Sequence, residues 1–103
     1  AAAPWPVIFS VHKNELALSL PAKAAAEAHS VLFFPHDYGA IDNAAPQTFG
    51  LHQGRAVLKM TPGTMITDKT DRLSGTIVMV FKNGEASVSK AYEITASRND
   101  RTL

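Results

Sequence analysis

Residues 73–95, LSGTIVMVFKNGEASVSKAYEIT, decide the fold class. The first nine residues are rich in β-branched and apolar side chains, and residues 86–95 alternate between two faces. One face carries Val88, Lys90, Tyr92 and Ile94, and the other carries Ser89, Ala91 and Glu93. Asn83 and Gly84 lie between the two runs, and Asn-Gly is favoured at the centre of a type I′ turn, where both residues need positive φ. The stretch therefore predicts an antiparallel β-hairpin that turns at Asn83 and Gly84.

Two shorter runs with the same period of two, at residues 7–12 and 15–20, predict further strands. Residues 31–34 form a more fully buried run, residues 55–60 follow a turn signal, and a strand near residues 47–51 is expected after Pro46. Residues 21–30, PAKAAAEAHS, are rich in alanine and predict at most one or two exposed helical turns. Six to seven short strands in about 100 residues are typical of an all-β, antiparallel immunoglobulin-like β-sandwich, which is the fold that we predict. A small β-barrel is the alternative.

A chain of 103 residues is long enough for one domain with a single core. We predict that residues 7–96 form this domain and that residues 97–103 are a flexible C-terminal tail. Residues 1–6, AAAPWP, contain two prolines and do not begin with methionine. This composition favours a linker or disordered N-terminus, and we interpret the chain as a fragment of a longer protein.

Composition excludes several classes of function. The formal net charge is +1 and the basic residues are scattered singly, so the chain lacks the basic footprint of a nucleic-acid-binding protein. No apolar run approaches the ~20 residues of a membrane span, so we expect no direct membrane insertion by this segment. The sequence has no cysteine, which removes disulfide scaffolding, thiol catalysis and cysteine metal ligands.

The densest group of turn-forming and functional residue types lies at residues 32–49, LFFPHDYGAIDNAAPQTF. Most of these residues have a structural role in an ordered loop: a proline ends the strand, and Asp, Asn and Gly stabilise turns. Loops on a rigid scaffold also carry function, so we take this one as the candidate interaction loop. Its candidate residues are Phe34, Pro35, His36, Asp37, Tyr38, Asp42, Asn43, Pro46 and Gln47. Because neighbouring side chains of a strand point to opposite faces, we expect one of Phe33 and Phe34 to be buried and the other exposed.

Two chemical alternatives compete with a structural loop. A nucleophilic triad can be written from Ser74 or Ser30 with His36 and Asp37, but the chain has no Gly-x-Ser-x-Gly motif, so we assign no catalytic residue. Copper accepts imidazole and thioether ligands, which occur here as His12, His29, His36, His52, Met60, Met65 and Met79. No two histidines have a close ligand spacing, so we predict no metal and no cofactor. His36 and His52 are the candidate ligands if a metal is bound.

The central stretch resembles a segment of the protein-disulfide reductase family, the DsbD-like and ScsB-like membrane proteins that carry electrons to periplasmic partners. The matching positions are Phe33, Phe34, Pro35, Gly39, Ile41, Asp42, Asn43, Ala45, Pro46 and Gln47. The closing LSGTIVMV and AYEITA patterns are also similar to the end of the second periplasmic β-domain of this family, which lacks the reactive cysteine pair of the first.

The resemblance implies a periplasmic location and a function without catalysis. In this interpretation the chain is an accessory immunoglobulin-like domain of a thiol:disulfide interchange protein, a spacer or docking module in a branch linked to copper tolerance. Its partners would be the neighbouring domains of the same membrane-anchored reductase and periplasmic redox proteins. The alternative is an independent β-domain that binds copper or a small ligand.

Overall fold

The computed structural model describes residues 2–37, 39–42 and 45–99. The seven strands within these residues are β1 (Ile8–His12), β2 (Glu15–Pro21), β3 (Ser30–Pro35), β4 (Thr48–His52), β5 (Arg55–Met60), β6 (Arg72–Asn83) and β7 (Ala86–Arg98). A 3-10 helix, Ala22–Ala25, follows β2, as the alanine-rich segment predicts. Among the described residues, no helix has the length and apolar character needed to cross a membrane.

All seven strands belong to one mixed sheet that is nearly closed into a barrel, with strand order β3-β6-β7-β1-β2-β5-β4. Neighbouring strands are antiparallel except β1 and β7, which pair in parallel through Ile8 with Ser97 and Phe9 with Arg98. The predicted all-β class is therefore confirmed, and the immunoglobulin-like sandwich is not. The physical reason is β1, which pairs with β2 on one side and β7 on the other. Strand β1 joins two three-stranded halves, β3-β6-β7 and β2-β5-β4, which would otherwise form separate layers.

The core is built from the inward positions of the alternating runs. Its largest fully buried side chains are Phe9, Leu16, Leu18, Leu20, Phe33, Leu58, Ile77 and Met79. Burial of each such side chain contributes about 1.5–3 kcal/mol of transfer free energy, so these residues dominate the stability of the fold. The inward positions come from both halves of the sheet, and a single continuous core fills the space between them.

The β6–β7 hairpin is confirmed, but its predicted turn is wrong by one residue. Asn83 pairs with Ala86, so the two loop residues are Gly84 and Glu85. Gly84 has φ 66°, whereas neither Asn83 nor Glu85 is among the residues with positive φ. A glycine with positive φ at the first loop position matches a type II′ turn rather than a type I′ turn. A type II′ turn is also compatible with the right-handed twist of the strands.

Strand β7 meets both ends of the domain. Strand β7 continues to Arg98, which is beyond the domain boundary that the sequence suggested at residue 96. At the other end, Ala2 forms a parallel bridge with Glu93, and the Trp5 and Tyr92 rings contact each other with their centroids 5.2 Å apart. Residues 2–6 therefore lie along the sheet instead of leaving it.

Candidate functional site

The outward-pointing side chains of β3, β6 and β7 form a small ordered surface, which we call the outer face. Strand pairing places its residues in three rows, since each β6 residue lies between one partner on β3 and one on β7. The rows are Leu32–Val78–Ala91, Phe34–Thr76–Glu93 and His36–Ser74–Thr95. One end of the outer face is apolar and the other end is polar.

The apolar end carries two large exposed side chains. Leu32 is 44% exposed and Phe34 is 53% exposed, whereas Phe33 between them is completely buried. The expectation that one phenylalanine would be buried and the other exposed is confirmed. Exposed phenylalanine and leucine at neighbouring positions of one sheet face are the kind of apolar surface that proteins use for association.

The polar end is organised around the Glu93 carboxylate. His36 Nε2 lies 2.8 Å from Glu93 Oε1, and the Thr76 hydroxyl donates to Glu93 Oε2 at 2.8 Å. These hydrogen bonds, first from Thr76 and then from His36, lower the pKa of Glu93, because they stabilise the ionised carboxylate. The side chains of His36 and Glu93 are both about half exposed, at 53% and 54%, so solvent screens their attraction.

A cleft of about 380 Å³ lies between this polar end and residues 2–7. Its walls include Trp5, Val7, His36, Ser74 and Glu93. The Ala3 N–H donates to the main-chain oxygen of Glu93 at 3.0 Å, which fixes the N-terminal segment beside the cleft. The cleft therefore combines a carboxylate, an imidazole and a hydroxyl with an aromatic wall.

The residues of the triad that we considered and did not assign are only partly brought together. The main-chain N–H of His36 donates to the Ser74 carbonyl at 3.0 Å, so these two residues are neighbours. However, the Ser74 hydroxyl shares a hydrogen bond with Thr95 at 3.2 Å, and the His36 imidazole bonds Glu93 instead of Asp37. Asp37 is exposed in the loop, and Ser30 lies at the opposite end of β3.

Glu93 and Thr76 are the site residues that sequence reasoning missed. The alternation in β7 predicts that Glu93 points outward. Thr76 lies opposite it in the register of the structure, whereas the predicted turn at Asn83 and Gly84 would have placed Ala91 opposite Thr76. The sequence pattern does not show that β3 pairs with the other side of β6. The contact between His36 and Glu93 depends on that pairing and could not be predicted from the sequence, because the two residues are 57 positions apart.

The candidate interaction loop folds back on residues 61–66. The Asp42 N–H donates to the Thr61 carbonyl at 2.9 Å, and the Gly63 N–H donates to the Ala40 carbonyl at 2.9 Å. A Cβ atom added to Gly63 would overlap the carbonyl oxygen of Gly39, so the two loops touch through their main chains. The candidates Tyr38 and Asn43 lie outside the described residues. Phe34 and Pro35 belong to β3, and Asp42 is an exposed residue of this hydrogen-bonded loop.

Pro35, Pro46 and Gln47 occupy the two ends of this loop. Pro35 is the last residue of β3, and the exposed Pro46 precedes β4. The Gln47 side chain bonds the main chain of Phe33: Oε1 accepts from its N–H at 2.9 Å, and Nε2 donates to its C=O at 2.9 Å. Gln47 thus links the two edge strands of the sheet, β3 and β4.

The candidate metal ligands do not meet in the part of the chain that the structure describes. No three His, Cys, Asp or Glu side chains converge there to hold an ion. Met60 and Met79 are buried in the core, whereas Met65 is 54% exposed beside Gly39. His36 belongs to the outer face, and His52 is the last residue of β4.

Comparison of the chain with protein-family models, with curated proteins and with solved structures finds no match.

Proposed function

We propose that this chain is a non-catalytic accessory β-domain of a periplasmic protein-disulfide reductase, and that its outer face docks against a neighbouring domain or a redox partner. The observation that carries the proposal is the exposure of the Phe34 side chain. Phe34 is half exposed, lies next to the exposed Leu32, and belongs to the stretch that resembles the reductase family.

The chemistry of the chain supports a docking role over an electron-carrying one. The sequence contains no cysteine, so the dithiol exchange of such a reductase must take place on another domain. In this proposal the two three-stranded halves correspond to the layers of an immunoglobulin-like sandwich, joined by β1. The domain then acts as a spacer that presents Leu32 and Phe34 to its partner, in the branch linked to copper tolerance.

The arrangement of the outer face is suited to a specific contact. Phe34 and Leu32 supply apolar area, and the hydrogen-bonded His36–Glu93 pair at the other end supplies polar groups with fixed positions. Protein interfaces combine apolar area with polar groups, and the outer face offers both. Aromatic side chains carry much of the binding energy in such interfaces, so Phe34 is the expected anchor.

The test is electron transfer in the full-length protein that contains this chain. Phe34→Ser should lower the rate of reduction of the periplasmic partner at least fivefold and leave the thermal melt of the domain within a few degrees of wild type. Val88→Ser is the matched control, because Val88 is similarly exposed at 48% but lies on the distal part of the hairpin. Equal rates for Phe34→Ser and wild type would contradict docking through the outer face. The coding sequence around the chain gives a second test: the proposal requires a cysteine-pair domain before it and membrane spans after it.

A further inference from the structure

Strand β4 has a free edge. His52 and Arg55 flank a two-residue turn in which Gln53 and Gly54 both have positive φ, at 51° and 79°. In such a hairpin the flanking residues form a hydrogen-bonded pair and the ladder then alternates. The N–H and C=O groups of Phe49 and Leu51 therefore point away from β5. Neither residue bonds another described residue through these groups.

Part of the opposite edge of the sheet is blocked. On β3, the Phe33 N–H and C=O are occupied by the Gln47 side chain, and Pro35 has no N–H to offer. Proline and capping side chains are usual means by which proteins prevent unwanted strand pairing at an edge. β4 carries neither device along Phe49 and Leu51, so it is the better of the two edges for a further strand.

A groove runs along this free edge. It has a volume of about 230 Å³ and is lined by residues 48–52 of β4 together with Val57 and Lys59 of β5. Gly50 leaves the groove open, because no atom lies within 4 Å of the position that its Cβ would occupy. Leu51 is 63% exposed, the largest exposure among the large apolar side chains that the structure describes. The edge thus offers main-chain hydrogen-bonding groups and apolar area together.

The cationic side chain of the groove is Lys59. It points outward from β5, since Leu58 and Met60 on either side of it are buried. Lys59 is exposed and forms no ion pair with a described residue. Arg55, at the other end of β5, is not part of the lining, and its Nε donates to the Ser19 hydroxyl at 2.8 Å. Glu15 lies with Lys59 in a separate depression at the end of the groove. A ligand in the groove therefore meets one unpaired cationic side chain, Lys59.

We propose that the β4 edge binds an extended, acidic peptide segment of another protein by β-strand addition. The peptide main chain bonds the N–H and C=O groups of Phe49 and Leu51, and its apolar side chains pack on Leu51. A carboxylate of the peptide lies beside the unpaired Lys59, because charge complementarity selects an acidic ligand over a basic one. This site is separate from the outer face and does not depend on the docking function proposed above.

The experiment is an NMR titration of the 103-residue chain with the capped hexapeptide Glu-Val-Glu-Val-Glu-Val. The amides of Phe49 and Leu51 should shift most, and the matching peptide with lysine in place of glutamate should bind at least tenfold more weakly. Lys59→Glu should lower the affinity for the acidic peptide at least fivefold. Equal binding of both peptides, no binding at millimolar peptide, or shifts elsewhere on the surface would overturn the proposal.

A pair of proline variants isolates the main-chain contribution. Leu51→Pro removes an N–H that points away from β5, so the β4–β5 ladder stays intact while one bond to the peptide is lost. Ser89→Pro is the matched control, because its N–H points outward from the free part of β7, as the hairpin register shows. Leu51→Pro should weaken binding at least fivefold and Ser89→Pro should not. If Leu51→Pro fails to fold, the titration of the wild-type chain and of Lys59→Glu still decides the outcome. Shifts at β4 that grow with protein concentration without peptide would identify a second copy as the occupant and contradict the proposal.

Discussion

The Gln47 side chain bonds both main-chain polar groups of Phe33, with each hydrogen bond 2.9 Å long. Its amide has the same donor and acceptor as a peptide unit, so it substitutes for one residue of a missing strand at the edge of β3. Gln47 immediately precedes β4, which lies at the other end of the strand order. One side chain thus holds together the two edges that would meet if the barrel were fully closed.

Removal of this contact should destabilise the domain. Gln47→Ala leaves two partly buried main-chain groups of Phe33 without a partner, at a cost of about 1–3 kcal/mol in the free energy of unfolding. Gln47→Glu should also destabilise, because a carboxylate accepts from the Phe33 N–H but cannot donate to its C=O. Urea denaturation measures both variants. A Gln47→Glu protein as stable as wild type would show that donation to the carbonyl contributes nothing.

The contact between the two loops predicts a difference between two glycines. Gly63→Ala places a methyl group against the Gly39 carbonyl, so one loop must move, at a cost of about 1–3 kcal/mol. Gly50→Ala is the control, since nothing lies within 4 Å of its Cβ position, and it should change stability by less than about 0.5 kcal/mol. Thermal melts of both variants test this. Similar melting temperatures would mean that the loops are not in contact.

Truncation of the two adjacent phenylalanines should destabilise the domain by very different amounts. Phe33→Ala opens a cavity in the core and should cost about 3–5 kcal/mol, because Phe33 is completely buried. Phe34→Ala should cost less than about 1 kcal/mol, because half of its side chain is already in water. Chemical denaturation with circular dichroism measures both. A large loss for Phe34→Ala would assign that side chain to the core instead of to a docking surface.

The lowered pKa of Glu93 predicts acid sensitivity. A carboxyl group whose folded pKa lies below its usual value of 4.5 stabilises the folded state above that pH, and this contribution is lost as the pH falls through the lowered folded pKa. Glu93→Gln and Thr76→Val should therefore lower the melting temperature at pH 7 and have a smaller effect at pH 3. Glu85→Gln, in the exposed hairpin turn, is the control. An effect of Glu93→Gln that is independent of pH would contradict an electrostatic origin.

The turn between β1 and β2 contains a strained residue. Lys13 has φ 59°, a conformation that costs a side-chain-bearing residue free energy but suits glycine. Lys13→Gly should therefore stabilise the domain by about 0.5 kcal/mol. Asn14 is not among the residues with positive φ, so Asn14→Gly should be neutral or destabilising. Equilibrium unfolding of the two variants compares neighbouring positions of the same turn.

The strands were predictable because burial alternates with a period of two. The apolar faces that the sequence marked in β1, β2 and β5 point into the core, as does Ile94 in β7. Val88 in β7 and Leu51 in β4 are exposed instead, at 48% and 63%. The hairpins followed from short connections between such runs. The turn of the last hairpin did not, because Asn-Gly is compatible with two registers that differ by one residue, and strand pairing selected the one with Gly84 first.

The order of the strands in the sheet was harder to predict from the sequence than the strands themselves. Local alternation is the same in a sandwich and in a barrel, and only long-range pairing distinguishes them. For the same reason Gln47 was a candidate as a loop residue, although its bond to Phe33 was not foreseen. The Glu93 partner of His36 required the order β3-β6-β7, which connects segments more than 50 positions apart in the sequence.

The parallel pairing of β1 with β7 has a consequence for the way the chain folds. The first strand completes its hydrogen bonding only with residues 97 and 98, so the two halves of the sheet cannot join until β7 is in place. Contacts of such long sequence separation slow folding, because loop-closure entropy must be overcome before they form. In any partial sheet of β1, β2 and β5 that lacks β7, the β1 edge would be open to other chains. In the folding of this domain, β7, the last strand in sequence order, completes the hydrogen bonding of β1, the first.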